Sequence, residues 1–490
     1  MPIRLAAVLA VALACSCGEG DDPQPPEQND VFVPSVWPPG GPSALRVTSL
    51  AALQQAIDAA QPGQVVELAD GTYINGMLQL RTNQVVVQGQ TPGGVHLTGA
   101  IHVVVSGQGN VLRGLQFHDG NIGEDTLIDV TGSDNTLSQL SIDGFTARRY
   151  VHVDGGTHRN TLSHCNLSRK PAKPIGPAIQ VTTSATVPGY HRIRFCALRN
   201  FAGGGGDYGN EPIRIGLGEQ RANAARTAVE HCRFSRLGRG DSESISLKSS
   251  QNVCRFNTFS DNPDSGLVFR AGNHNVAYGN FFVNGAGGVR LKEGHGHVLY
   301  QNYFETGQSD AVRLQFVATD PLTNIWFVHN TFVNMGAISL GGTGPEGVVF
   351  ANNLLDRPTD FLFSDVGVGV SWVGNLYRGQ SGIPAAAGLT AANPQLHPHP
   401  HGYLVPAPGS PAVDAAASEY GPLWDVPEVD DDPSLTADIA GQARPAAANK
   451  KDVGCWEVAA SAAPAAPRRP LVASDVGPVY LGGPAVEPQP

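Results

Sequence analysis

The sequence predicts an all-β fold, a right-handed parallel β-helix in which the chain winds into a stack of coils, with a short capping helix at its amino-terminal end. The first observation behind this is a repeat. An eight-residue phrase of the form Asn/His–x–aliphatic–x–x–Asn/Cys–x–Phe/Leu recurs about ten times, closing on Phe117, Ile142, Leu167, Leu198, Phe234, Phe259, Phe282, Phe304, Phe332 and Leu354. Many of the steps are roughly 22 to 25 residues, the period of a solenoid coil. The second observation is the sixth position, which reads Cys165, Cys196, Cys232, Asn257, Asn280, Asn302, Asn330 and Asn352. A thiol ladder passing into an amide ladder is expected when one slot lies above itself at the strand spacing of ~4.8 Å. The third is composition: 490 residues with 59 Gly, 37 Pro and only 15% charged residues supply a large core and a turn-former for each corner.

In chain order, residues 1–17 carry one Arg and an apolar run of about ten residues, too short to span a bilayer, and read as an export signal. Cys15 or Cys17 fits a bacterial lipoprotein cleavage site, so a lipid anchor and simple secretion are both expected outcomes. Localisation is therefore the periplasm, the outer membrane or the medium, with membrane contact only through that anchor. Residues 18–43 are acidic, Pro-rich and aperiodic, a linker. Residues 49–60 have apolar positions at helical spacing and are assigned as the cap over the first coil, where an open solenoid end exposes unpaired strand edges. The β-helix domain runs over 44–458; after Leu354 the repeat fades into a Pro-rich wrap. Residues 459–490, dominated by Pro and Ala, are expected to be disordered. Five cysteines follow the signal, an odd number, and three sit in the inward slot, so packing is their expected role.

The net charge of −11 argues against a general nucleic-acid binder, which needs a field of Lys and Arg. A local cationic face is still compatible with it. Strand alternation names the outward residues: Arg214 between Ile213 and Ile215, Lys248 after Ile245 and Leu247, Arg270 after Leu267 and Phe269, Arg290 and Lys292 around Leu291, and Arg313. Lys248, Arg270 and Lys292 precede the closing Phe of their coils by 11, 12 and 12 residues, which places successive cations in one file on one face. Such a stripe calls for an anionic polymer. Asp241 and Glu243 lie at i and i+2 upstream of Lys248, and Asn210 and Glu211 open the preceding strand. Their oxygens suit Ca²⁺, which takes six to eight oxygen ligands in irregular geometry. The competing reading pairs Asp241 and Glu243 with Arg214 and Arg239.

The phrases NEPIRIG (210–216), SESISLKSS (242–250), LVFRAGN (267–273) and GGVRLKEGHGHVLYQNYF (287–304) resemble polysaccharide lyase family 6, which contains alginate lyases and chondroitinase B. The opening coil, VTSLAALQQAIDAAQPGQVVELADGTY, is similar too. The resemblance implies a lyase acting on a uronate polysaccharide by Ca²⁺-assisted β-elimination. It makes Lys248 the base, Arg270 the partner at the leaving oxygen, and Asn210, Asp241 and Glu243 the Ca²⁺ ligands, with Asp207 or Glu211 as replacements for Asn210. Arg214, Arg290, Lys292, His297 and Arg313 then line the sugar groove. Ala271 stands where that family often has His, and Asp241 where it usually has Glu. Alginate is the expected polymer, because the family is mostly directed at it; chondroitin or dermatan sulfate is the alternative. Two other readings are a non-catalytic glycan-binding solenoid and a polygalacturonase-type hydrolase using Asp261 and Asp264, although that pair falls in a Pro-containing turn.

Overall fold

The computed structural model describes residues 44–203, 209–237, 243–262, 264, 266–315, 317–418, 435–458 and 467–484. The expected export signal and linker, residues 1–43, lie outside the described residues. From Ala44 onward the chain forms a mostly-β parallel solenoid of about 13 turns with one short helix near its start. One sheet of fourteen strands forms the first wall, and a second of twenty-two strands bends to form the other two. A typical coil contributes Val253–Arg255 to the first wall, Thr258–Ser260 to the second and Gly266–Phe269 to the third. The next coil repeats the order with Val276–Tyr278, Phe281–Val283 and Val289–Leu291, each strand parallel to the one above.

The repeat phrase spans the corner between the first and second walls. Its closing residues are in register: Phe234 over Phe259, Phe259 over Phe282, Phe282 over Phe304 and Phe304 over Phe332. Their rings stack at centroid distances of 4.9, 4.5, 4.7 and 4.7 Å. Each such contact is worth about 1 kcal/mol beyond simple burial. The corner residue just before the sixth position is left-handed, as at Phe256 (φ 56°), Gln301 (φ 52°) and His329 (φ 51°). That turn takes the next backbone N–H out of the strand ladder, and the buried amide below accepts it: Asn257 N–H to Asn280 Oδ1 at 3.0 Å, Asn280 N–H to Asn302 Oδ1 at 3.1 Å.

At the last repeat the expectation is off by one residue. Phe332 pairs with Leu355, not Leu354, and Asn330 N–H donates to Asn353 Oδ1, not to Asn352. Asn352 instead takes the left-handed corner (φ 53°), a conformation Asn tolerates well, and so passes the ladder position to its neighbour. The thiol part of the ladder is as expected. Cys165, Cys196 and Cys232 are buried in the core, and all five described cysteines are unbridged.

The capping helix α1 (Leu50–Ala59) starts at Ser49, whose side chain accepts from Ala52 N–H, and buries Leu53, Ala56 and Ile57 against the first coil. At the other end, a hairpin (Leu396–Pro398 with Leu404–Pro406) and residues 435–458 wrap back over the second wall. Cys455 N–H donates to Thr331 Oγ1, and a fully buried Arg444–Glu457 pair (3.1 Å) holds this wrap together.

The terminal stretch departs from the expected disorder over residues 467–484. This segment runs back along the solenoid: Leu471 N–H meets Thr258 Oγ1, Gly477 N–H meets Phe195 O, and Tyr480 OH donates to Gln139 O. Composition misses this because the few anchoring residues, Arg468, Leu471 and Tyr480, are diluted by Pro and Ala. Replacing Asn280 by Ala orphans the Asn257 N–H and the Cys254 carbonyl, a cost on the order of 3 kcal/mol. Urea unfolding is expected to show a lower midpoint with an unchanged slope.

Candidate active site

The third wall carries the charged face. Arg214 projects from Ile213–Ile215, whose isoleucines are fully buried and so force it outward. The backbone register runs Leu247 over Phe269 over Leu291 over Leu314, so Lys248, Arg270 and Lys292 follow one another in the same slot on successive coils. A second slot two residues earlier contains Arg214, Ser246, Val268, Arg290 and Arg313. The expected single file is therefore two adjacent files on one face. The difference arises because counting back to the closing Phe cannot separate outward positions two residues apart.

The cations are also not alone. Glu211 receives Arg214 through two bonds (Nη2–Oε2 2.5 Å, Nε–Oε1 3.2 Å) and stands 3.8 Å from Lys248 Nζ. On the next coil, Glu243 Oε1 accepts from Arg270 Nη1 at 2.8 Å and Arg290 Nη2 at 2.6 Å. Lys292 faces Glu293 at 3.6 Å, and the more exposed Arg313 faces Asp310 at 3.8 Å. Glu243 thus pairs with Arg270 and Arg290 rather than with Arg214, whose partner is Glu211. The sequence suggests Glu211 only as a spare metal ligand; its i,i+3 spacing to Arg214 is the signal that points to the pairing.

Lys248 is mostly buried, and loss of solvent pushes its amine below the usual lysine value, with Arg214 acting in the same direction and Glu211 opposing. Arg270 contributes a smaller push downward. The uncharged amine is the form that can accept a proton.

The expected metal ligands divide. Asp241 lies outside the described residues, as do Arg239 and Asp207. Asn210 is buried and shapes the loop above the site, its Oδ1 accepting from Gly176 N–H (2.9 Å) and its Nδ2 donating to Ala172 O (3.0 Å). An amide oxygen with one donor keeps a second lone pair. Glu243 Oε2 is buried and has no hydrogen-bond partner among the described residues, the kind of oxygen a cation satisfies. Among the described residues, no three His, Cys, Asp or Glu side chains are grouped to hold a metal.

His297 is a correction. It is fully buried, its Nδ1 accepting from Asn275 N–H (3.3 Å) and its Nε2 meeting Glu293 O, with burial lowering its pKa to about 4. It cannot line a groove. Its position is legible in the sequence, because it opens the repeat phrase ending at Phe304, the slot that Asn252 and Asn275 fill in the coils above. Ala271, in the place of the resembling family's His, is also buried. Asp261 sits exposed in a left-handed corner (φ 58°) after the second wall, and Asp264 is exposed nearby, which does not make a hydrolytic dyad on the charged face.

Comparison with known proteins agrees with this architecture. The chondroitinase B family profile matches residues 47–336. A point mutant of the PL6 alginate lyase AlyGC is 25% identical, with a TM-score of 0.67 over 75% of this chain and 55% of that one. This chain thus spans little more than half of AlyGC. A mannuronic acid specific family 6 lyase from human gut microbiota is 24% identical (TM-score 0.61, 71% of this chain and 90% of that one). A PL6 alginate lyase in complex with a trisaccharide shares the fold at 18% identity (TM-score 0.62, 75% and 91%). No curated protein sequence matches. With the profile covering more than half of its length and the solenoid carrying the same architecture, the chain belongs to the chondroitinase B family, among the polysaccharide lyases of family 6.

Proposed function

We propose that this protein is a polysaccharide lyase that cleaves a uronate polymer, alginate, by β-elimination, and that it acts after export from the cytoplasm. The observation that carries this reading is the placement of Lys248 and Arg270 in one slot on successive coils, with the Lys248 amine driven toward its neutral form. In the reaction, neutral Lys248 Nζ takes the C5 proton of a uronate. The C5–H electron pair becomes the C4–C5 double bond, and the C4–O bond breaks with its electrons on the leaving oxygen. Arg270 stabilises that oxygen, while water or a sugar hydroxyl supplies its proton, because a guanidinium does not deprotonate readily. Arg290 and Arg214 hold the uronate carboxylate and offset the charge that otherwise keeps the C5 proton from leaving.

Ca²⁺ would be held here by Glu243 Oε2 and the remaining lone pair of the Asn210 amide oxygen, with Asp241 as the third proposed ligand. When bound it supplies further neutralisation of the substrate carboxylate. The choice of alginate is supported by the resemblance to a PL6 alginate lyase, and that of an anionic polymer by the cation spacing. From Arg214 through Lys248, Arg270, Arg290 with Lys292, to Arg313, each of five successive coils presents at least one cation, at a pitch of ~4.8 Å. A polymer with an anion on every sugar uses such a row fully; alginate offers a carboxylate on each, and dermatan sulfate a carboxylate and a sulfate in alternation. The family description favours the second polymer, so both belong in the test.

Incubation with alginate, polymannuronate, polyguluronate and dermatan sulfate, followed by ultraviolet absorbance of the unsaturated uronate, is expected to show product from the alginate polymers. Absence of absorbance with tight binding would instead identify a glycan-binding solenoid. Lys248→Ala is expected to lower kcat by about three orders of magnitude or more, in the upper range for loss of a positioned base; wild-type elimination by this variant would refute the assignment.

The pH profile follows from the direction of the Lys248 shift. The neutral fraction grows as pH rises through its pKa, so kcat/KM is expected to rise along a limb centred below the ordinary lysine value of about 10.4. Calcium is expected to raise the unfolding temperature of the wild type and not of Glu243→Gln, a binding readout independent of turnover.

A further inference from the structure

Beside the Lys248 file, residues 217–223 leave the third wall and run along the flank of the groove. They are pinned at both ends of a long span. Gln220 Oε1 accepts from Thr183 N–H at 3.1 Å, and Asn223 Nδ2 donates to Thr183 O at 3.1 Å, on the coil above. In the other direction, Arg221 Nη2 reaches Glu293 Oε2 at 3.0 Å and Nη1 reaches Asp320, 99 residues later in sequence. Ser250 Oγ donates to Arg221 O at 2.7 Å between these points. One loop therefore ties together turns from Thr183 to Asp320.

Glu293 is the member of this set that bears on the groove. Its two oxygens face two different cations: Oε2 meets Arg221, and Oε1 stands 3.6 Å from Lys292 Nζ. Glu293 is nearly buried, whereas Lys292 retains about a quarter of its side-chain exposure. Glu293 is thus shared between Arg221 and Lys292, with the shorter contact to Arg221.

We infer that Arg221 is a positioning residue for polyuronate binding: by holding Glu293 from the far side, it keeps Lys292 available to a substrate carboxylate. The inference rests on the reading of this face as a uronate groove and extends it to a residue that touches no substrate. Arg221 also carries Asp320, so its charge is shared between two carboxylates. The sequence offers no hint of this arrangement, because the three partners are separated by 72 and 99 residues.

The test uses the full chain with Lys248→Ala, which binds without turnover, and alginate oligosaccharide affinity measured by calorimetry. Arg221→Ala in this background is expected to bind about fivefold more weakly, the scale of a partly exposed ion pair. Glu293→Gln alone is expected to bind more tightly than the parent, a gain that misfolding cannot produce. The double variant Arg221→Ala with Glu293→Gln is expected to recover at least the parent affinity, and Arg221→Lys most of it. Unchanged affinity in Arg221→Ala, or no recovery in the double variant, overturns the inference and leaves the lyase reading standing. A parent that binds no polyuronate overturns both.

Discussion

The rest of the molecule depends on the buried amide ladder at the corner between the first two walls. A left-handed residue at each corner pulls one backbone N–H out of strand pairing, and in the dry interior that donor needs a replacement acceptor. The Asn one coil below provides it, while its own NH₂ reaches a carbonyl above, as Asn302 does for Asn280 N–H and Ala277 O. The bond forms only when coils superpose at the strand spacing, so the ladder sets the register of every column of side chains. A slip of one residue would turn the phenylalanine stack outward and scatter the charged face.

That register brings cations together at separations where repulsion is substantial. Two unit charges ~5 Å apart at an effective dielectric near 20 repel by about 3 kcal/mol. Glu211 and Glu243 offset this, each buried and each shared by two cations. Neither carboxylate could be buried alone, and neither cluster of basic residues could be held without one. The pairing also fixes the orientation of the guanidinium groups of Arg214, Arg270 and Arg290. The charged face is thus an ordered mixture of charges with a cationic excess among the described residues, and burial pushes the Lys248 amine below the usual lysine value.

Much of this is legible from residues alone, and the failures have physical causes. The period, the thiol and amide ladder, the capping helix and the outward direction of Arg214, Lys248 and Arg270 all follow from local alternation and repeat length. The placement of His297 is also in the repeat phrase, but its chemistry as a groove residue outweighs its register as a ladder residue when the sequence is read alone. The last repeat slips by one because Asn352 and Asn353 are the same residue type, and only the corner conformation tells them apart. Residues 467–484 escape a compositional reading because burial against the solenoid, not composition, orders them.

The sequence by itself determined that the chain forms coils, which residues fill their interior and which side chains face out, because these are consequences of period-two alternation within a strand and of a repeat about one coil long. Tertiary structure alone decided which outward side chains become neighbours. Glu243 meets Arg290, and Arg221 meets Glu293 and Asp320, across gaps of 47, 72 and 99 residues. Such contacts are fixed by the varying lengths of the turns between strands, which shift each coil's loops relative to the next without leaving a mark in the repeat. The carboxylates that organise the groove are therefore visible in the sequence as residues, and become partners only when the coils are stacked.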